Sequence, residues 1–593
     1  MNQNNISAAE LFLRVRELLI LPELEPKTRN KMMHDTLILC CHEGVKETKQ
    51  AFGNLFSQVD YLCKAHGIKV ADKIAIQTMR RHSNSQEPLS SEDLKYDARA
   101  LAIFISAVFG VDVPHELNVL IPHTNRPYQK GLEINNHRIR CIVKNWDSDF
   151  IRVDIDQDAD EEEYLVQLKD EENHIDHTYL WDILKEGMQL NLLDCQVKQP
   201  VITPRLIVVE PDYLVDISSI ATCFTAFGHH PLLYLLNQMK PRANTQATLL
   251  GNFAGAALDD IINTNGKYQM NETIKTNFRE KALEFCTCPW FDAKKFYTDA
   301  SLQAFNLQQV VDILFPRTAS QAQMSAFRGE SLYDRKKAIL EPSFVCEALG
   351  IQGRVDLMTT DCKLLVEQKS GRNMNIETHQ VDPGYHSYQL EPHYVQLLLY
   401  YGVLQHNFKL SNDRVNIRLL YSKYQPQDGL MVVAYYHKLF QEAITYRNQL
   451  VAASFEIAKE GFEHALNEFT PDVLNVAGTQ DFFYNKYLKP QIEAITSPLH
   501  NLTPLEEAYF CRMMTFVLRE QMISKVCAQE GTNTSSSDLW TMPLAEKKDA
   551  GNIYTDLHII RKEQSSAGSG YDTIILSVPD QGKDFLPNFR IGD

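Results

Sequence analysis

Between Ile339 and Arg372 the chain reads ILEPSFVCEALGIQGRVDLMTTDCKLLVEQKSGR, and two strand-like runs within it, GRVDLM and KLLVEQKS, carry the residues best equipped for chemistry. A two-residue loop at Asp361 and Cys362 would pair Thr360 with Lys363 and set Asp356 opposite Glu367 in an antiparallel hairpin. Alternate residues of a strand share a face, so Glu367 and Lys369 point the same way. Two facing carboxylates repel, and more strongly when buried, so the pair requires a proton or a cation. Carboxylate oxygens suit Mg²⁺ or Mn²⁺, which keep several waters and bind through one or two carboxylates plus a substrate phosphate. A lysine beside them can orient or deprotonate an attacking water, or neutralise charge developing on the phosphate. The chemistry these residue types predict is metal-assisted hydrolysis of a phosphodiester. The bland alternative is a solvated hairpin with a surface ion pair. Leu364, Leu365 and Val366 argue against it, because they make the second run a buried strand in which unpaired charge is costly.

The elements that must hold these side chains form an alternating pattern. Helical periodicity in HPLLYLLNQM, GNFAGAALDDIINT and LQQVVDILF precedes the hairpin. A helix, HYVQLLLYYGVL, and two strand-like runs, RVNIRLLYS and LMVVAYY, follow it. Gln396 and Tyr400 stand at i and i+4 on one face of that helix. The order Gly353-Arg354-Val355-Asp356, then Glu367-Gln368-Lys369, then Gln396 and Tyr400 resembles the PD-(D/E)xK nucleases, and within them the RecB-like branch with its QxxxY helix. The resemblance implies an α/β restriction-endonuclease-like nuclease core acting on DNA, on single strands or ends. Asp356 and Glu367 would be metal ligands assisted by the carbonyl of Gln368, with Lys369 catalytic and Gln396 and Tyr400 positioning substrate or the lysine. Many members of the branch place a metal-binding His in a helical G-x-x-x-H upstream. Here Gly251-Asn252-Phe253-Ala254-Gly255 has glycine at that place. Glu341, on the strand before the hairpin, is the favoured substitute ligand, with Asp259 or Asp260 as alternatives. Several relatives also bind an iron–sulfur cluster through one upstream cysteine and a trio after the QxxxY helix. Cys223 would be the upstream residue, but only Cys511 and Cys527 follow, so no cluster is expected.

Composition sets the wider frame. The chain has 593 residues, 44% hydrophobic and 23% charged, enough for several domains. The reading is multidomain α/β: an all-α N-terminal domain over 1–128, a small β-rich, barrel-like domain over 129–212, the nuclease domain over 213–440, a helical segment over 441–530 and a β-rich C-terminal piece over 531–593. The formal net charge is −17, but residues 147–176 carry thirteen acidic side chains against Arg152 and Lys169, so most of the acidity sits in one segment. A local basic channel elsewhere remains compatible with a nucleic-acid partner. The longest apolar stretch, Ala100 to Val111, is twelve residues, far short of the roughly 20 that span a bilayer. The N-terminus lacks the marks of a secretory signal. Twelve scattered cysteines read as reduced core residues, so a cytoplasmic protein without membrane contact is expected. The order of these parts is also similar to the front of fused nuclease–superfamily 1 helicase proteins. No G-x-x-x-x-G-K-[ST] occurs, so no ATP site is expected in this chain, and a helicase motor would lie on a continuation or a partner.

Other residues invite weaker readings. His379, His386 and His393 recur every seven residues, but Pro383, Gly384 and Pro392 prevent one helix from carrying all three, and only His393, just before the QxxxY helix, is placed to contact substrate. Cys286 and Cys288 lack a partner pair for zinc. The acidic run from Asp158 to Glu163 reads as a solvated loop, or as a mimic of DNA charge. Arg317, Arg328, Arg335, Lys336 and Lys337 are candidates for phosphate contacts. The rival to an enzyme is a nuclease-like fold without turnover that binds or scaffolds nucleic acid, and Gly255 is its best support.

Overall fold

The computed structural model describes residues 6–589 apart from 22–24, 47, 49–51, 53, 85–88, 127–135, 157–162, 242–243, 265–266, 383–384, 386, 411–413, 527–534, 543, 564–572, 583–586 and 588. The fold is mixed α/β, with helices and several separate sheets. The first part is helical because side-chain caps and apolar seams coincide. Ser7 and Glu10 form a capping box at Ala8–Ile20, and Asn54 and Ser90 cap Leu55–Ala65 and Ser91–Phe109. The inward faces close one apolar core from Leu11 to Ile121. The expected boundary at 128 lies outside the described residues.

Residues 138–209 form a seven-stranded sheet in the order Gln196–Lys198, Val201–Thr203, Tyr164–Gln167, Phe150–Ile155, Arg138–Trp146, Gln189–Leu193, Leu206–Val209. Alternate residues of Phe150–Ile155 are buried, as the period-two pattern requires. The expected barrel does not close: among the described residues, Gln196–Lys198 and Leu206–Val209 remain the two edges. A helix takes the place that closure would fill. Helix His437–Glu460 covers the Leu206–Val209 edge, where Asn448 Oδ1 accepts from Val209 N at 3.0 Å and Asn448 Nδ2 donates to Ile207 O at 2.7 Å. Beside it, fully buried Arg447 donates to the carbonyls of Gly350 (3.2 Å), Glu210 (3.0 Å) and Tyr213 (2.7 Å). Of the acidic run only Glu163 is described, facing Lys144 and Arg152.

A five-stranded sheet follows, in the order Ala338–Leu340, Leu357–Thr359, Leu364–Lys369, Asn416–Tyr421, Leu430–Val432. Leu364–Lys369 and Asn416–Tyr421 are parallel, which requires a crossover. Helix Glu391–Phe408 supplies it, buried without a break from Tyr394 to Leu404, as a helix apolar on all sides must be. Helices Gln246–Asn263 and Ala293–Leu314 share a second core with the strand residues Leu357, Leu364 and Val366. Toward the C-terminus, Pro504–Val526 packs on His437–Glu460. The last stretch combines helical turns with the strands expected there. Asp538 Oδ2 accepts from Ser535 N at 2.6 Å at the start of the helical turn Asp538–Thr541, as short polar side chains favour. A second turn, Leu544–Asp549, then precedes a hairpin of His558–Glu563 with Thr573–Ser577. Among the described residues no helix is long and apolar enough to cross a membrane.

Candidate functional site

The site is built on a bent hairpin. Ala338–Leu340 pairs with Leu357–Thr359 in the five-stranded sheet, while Ser343–Cys346 pairs with Ile351–Arg354 in a three-stranded one. Both ladders keep the same register, so they are one hairpin that changes sheet at Glu341–Pro342 and Val355–Asp356. The run GRVDLM, read above as one strand, therefore breaks at Asp356. Pro342 has no N–H to give a ladder and contributes only its carbonyl, to Val355 N at 3.2 Å. Glu341 takes φ 48°, a left-handed value uncommon outside glycine. The bend leaves Glu341 level with Asp356, joined by Glu341 N to Asp356 O at 3.0 Å.

The next strand continues that level. Leu357 pairs with Val366 and Met358 with Leu365, the register expected from sequence, which sets Asp356 beside Glu367. The ladder ends two pairs earlier than expected, because Thr359 Oγ1 accepts from both Lys363 N and Leu364 N at 3.2 Å and closes the turn. Three carboxylates, Glu341, Asp356 and Glu367, thus lie in a row across three strands.

Each has a different neighbour. Glu341 pairs with Arg354 at 3.1 Å. Asp356 Oδ2 accepts from Gln368 N at 2.6 Å, yet burial above all pushes its carboxyl upward. Glu367 is 3% exposed. Its Oε1 accepts from Lys369 Nζ at 2.8 Å, and its Oε2 is buried with no hydrogen-bond partner. Burial, reinforced by Asp356 and opposed by Lys369, pushes the Glu367 carboxyl up to about 8. Lys369 Nζ also donates to Gln396 Oε1 at 2.7 Å, so the crossover helix holds the lysine in place. Tyr400 Oη donates to Arg354 O at 2.6 Å. A side chain at Gly353 would strike its ring, with a Cβ 2.8 Å from Cε1, which explains the glycine before Arg354. Gln368 directs its side chain away, donating to Ser422 Oγ at 2.8 Å. The structure therefore brings together Asp356, Glu367, Lys369 and Gln396, with Glu341 and Tyr400 at the margin.

Helix Gln246–Asn263 forms the opposite wall of a cleft of about 600 Å³ lined by Asp259, Glu341, Asp356, Lys369 and His393. Gly251 lies against Ser370, whereas a Cβ at Gly255 would meet nothing within 4 Å. Asp259, one turn beyond Gly255, has its carboxyl pushed up to about 7 by burial, then by Glu341, Asp260 and Asp356. Asp260 instead accepts from Thr273 Oγ1 at 2.5 Å. Of the alternatives to Glu341, Asp259 reaches the cleft; its i+4 spacing from Gly255 was the available signal. Among the described residues no three His, Cys, Asp or Glu converge closely enough to cage a metal ion by themselves.

Other candidates resolve differently. Arg317 and Arg335 are occupied as caps: Arg335 Nε donates to Ile262 O at 2.6 Å, and both guanidinium groups reach Thr264 O at the end of helix Gln246–Asn263. Cations at a helix C-terminus satisfy its free carbonyls, so these two are held by the fold rather than offered to phosphate. Lys337 pairs with Asp361 at 3.1 Å. His379 ends the short helix Met374–Thr378 with φ 51°, and His386 lies outside the described residues. The described cysteines are free, Cys223 and Cys288 buried and Cys286 exposed, and Cys527 falls outside the described residues.

Comparison with protein-family models finds no match to this chain, and comparison with curated protein sequences finds none either.

Proposed function

We propose that this chain is a divalent-metal-dependent deoxyribonuclease of the PD-(D/E)xK, RecB-like kind, hydrolysing phosphodiester bonds of single strands or ends. A helicase motor on a continuation or partner is a natural source of such strands. One observation carries the reading: Glu367 keeps a buried oxygen without a partner directly behind Asp356, a half-buried carboxylate that lines an open cleft. Stability gains nothing from such an arrangement, because each unpaired buried charge is costly. A cation accounts for it.

The residues suit Mg²⁺ or Mn²⁺ better than a closed protein cage, since these ions bind through one or two carboxylates and complete their shell with water and phosphate. Asp356 and Glu367 would hold the ion, with the Gln368 carbonyl and Glu341 or Asp259 beside them. When bound, it would supply Lewis-acid stabilisation and acidify a water. Lys369 spends two of its three N–H groups on Glu367 and Gln396, and the third is left for the attacking water or the phosphate. Gln396 and Glu367 fix its direction, while Tyr400 holds the strand that carries Asp356. The test is cleavage of end-labelled single- and double-stranded DNA with Mg²⁺ or Mn²⁺, beside an EDTA control and Lys369→Ala. Metal-dependent cutting lost in the variant is expected; equal cutting by Lys369→Ala would remove the assignment.

The second reading, a nucleic-acid-binding module without turnover, is favoured by Gly255, which leaves open the space where relatives have a ligand. It predicts DNA binding indifferent to metal and no cleavage of any substrate.

A further inference from the structure

We propose that His393 presents a neutral imidazole whose Nε2–H donates to a non-bridging oxygen of the scissile phosphate. This rests on the nuclease reading and adds a substrate-contacting residue to it. His393, Gln396 and Tyr400 stand at i, i+3 and i+7 of helix Glu391–Phe408 and form one stripe toward the site strand. Gln396 in that stripe holds Lys369, and His393 lines the same cleft as Lys369 and Asp356.

The hydrogen bonds assign the ring's proton. His393 Nδ1 lies 2.9 Å from Tyr421 Oη. Tyr421 is fully buried and is the direct ladder neighbour of Lys369. Its oxygen accepts from Leu390 N at 3.1 Å. Asn373 supports it from the other side with its amide N–H, because Asn373 Oδ1 already accepts from Asn375 N (2.9 Å) and Ile376 N (3.3 Å). The phenol's single hydrogen is left for Nδ1, so Nδ1 is the acceptor and Nε2 carries the proton. Among the described residues no protein group accepts from Nε2. Burial first, and then the Lys369 cation, hold the ring down to about 4, so it is neutral at physiological pH. A neutral donor can stand beside Lys369 without repelling it. A phosphate entering a cleft walled by Asp259, Glu341 and Asp356 needs such donors.

The experiment measures kcat and KM with Mn²⁺ on an oligodeoxynucleotide of mapped cut site, for the parent, Lys369→Ala, His393→Ala, His393→Gln and Tyr421→Phe. Each is repeated with Rp and Sp phosphorothioates at the scissile linkage. Loss of one oxyanion donor lowers kcat by about 10²-fold, so His393→Ala should fall by about that factor with KM nearly unchanged. His393→Gln, whose amide nitrogen reaches near the Nε2 position, should recover about tenfold or more. The slowing by one of the two sulfur diastereomers should shrink in His393→Ala and in no other active variant except Tyr421→Phe. A parent that cuts, a dead Lys369→Ala and a His393→Ala that cuts like the parent would overturn the His393 assignment alone. So would a loss in His393→Ala that Gln does not rescue and that leaves both sulfur effects as in the parent. A folded parent that cuts nothing would overturn the nuclease reading and this assignment with it.

Discussion

A cation held by Asp356 and Glu367 must displace the proton that Glu367 keeps at neutral pH, and that exchange can be counted. With its carboxyl raised to about 8, Glu367 is about nine-tenths protonated at pH 7, half at pH 8 and one-tenth at pH 9. Binding of Mn²⁺ should therefore release about 0.9 proton from Glu367 at pH 7 and about 0.1 at pH 9. Asp259, raised to about 7, adds about half a proton at pH 7 if it too moves onto the ion. An Asp259→Asn variant that releases fewer protons than the parent puts Asp259 in the ion's shell, and one that releases as many leaves it outside. The sign follows from competition: protons win at low pH, so affinity should weaken by about tenfold per pH unit below 8 and level off above it. Titration calorimetry from pH 6.5 to 9, in paired buffers of different ionisation heat, reads both quantities. In Glu367→Gln the Glu367 share of the release should vanish and Mn²⁺ binding should weaken sharply. A parent that releases no proton at pH 7, or a Glu367→Gln variant that releases as many as the parent, would refute the reasoning.

The same carboxyl sets the stability of the metal-free protein. Because its folded value near 8 lies above the ordinary 4.5, its contribution is fully present below pH 4.5 and is lost as pH rises toward 8. In EDTA at pH 8, Glu367→Gln should unfold at higher temperature than the parent, by on the order of 2–3 kcal/mol after allowing for water entry and relaxation, with little difference at pH 5. Gly255→His should fold like the parent, because a Cβ there meets nothing within 4 Å and glycine costs a helix interior about 1 kcal/mol. Thermal melting checks that, and tighter Mn²⁺ binding than the parent's would show the imidazole reaching the ion. Gly350→Ala should be strongly destabilised, by about 3 kcal/mol or more, because φ is 63° and the new Cβ would strike the buried Arg447 guanidinium. Urea unfolding measures it, and a variant within about 0.5 kcal/mol of the parent would show that Arg447 can yield.

What was legible in the sequence was local. The Asp356–Glu367 register follows from a short hairpin with a period of two, and the Gln396–Tyr400 face follows from helical spacing, so both could be read without the fold. The bend at Glu341–Pro342 could not, because it depends on which of two sheets each half of one hairpin joins. The choice between an open twisted sheet and a barrel was hidden for a related reason: strand patterns show how many strands there are, but not that a helix 230 or so residues later, bearing Arg447 and Asn448, covers the edge. Arg317 and Arg335 read as phosphate contacts because composition displays their charge and hides the backbone carbonyls that take it. Asp259 was visible only as one of two adjacent acids on an amphipathic helix. Its partners Glu341 and Asp356 arrive from a strand pair about 80 to 100 residues downstream.

These particulars converge on one feature of the cleft, its charge. Around the cleft the carboxyl groups of Asp259, Glu280, Glu341 and Asp356, with Glu367 buried behind them, outnumber the cations Lys281, Arg354 and Lys369 by two. That excess is the charge of one divalent ion, and it adds to burial, the larger cause, in raising the Glu367 and Asp259 carboxyls toward neutral pH. A site meant only for stability would have paired these acids with arginines, as Arg140 does for buried Asp212 at 2.9 Å in the neighbouring sheet. The excess of acids at the cleft is what an ion or substrate would meet there, since groups held away from their ordinary titration range cluster where proteins bind and react. Adding a further fixed cation should then compete with the metal. Glu341→Lys, at the half-exposed rim beside Arg354, should weaken Mn²⁺ binding by about tenfold or more, since it removes a carboxylate and changes the local charge by two units, each worth a few kcal/mol at about 5 Å and an effective dielectric of about 20. Mn²⁺ affinity unchanged in that variant would show that the acids balance one another without an ion, and the metal assignment would lose its electrostatic basis.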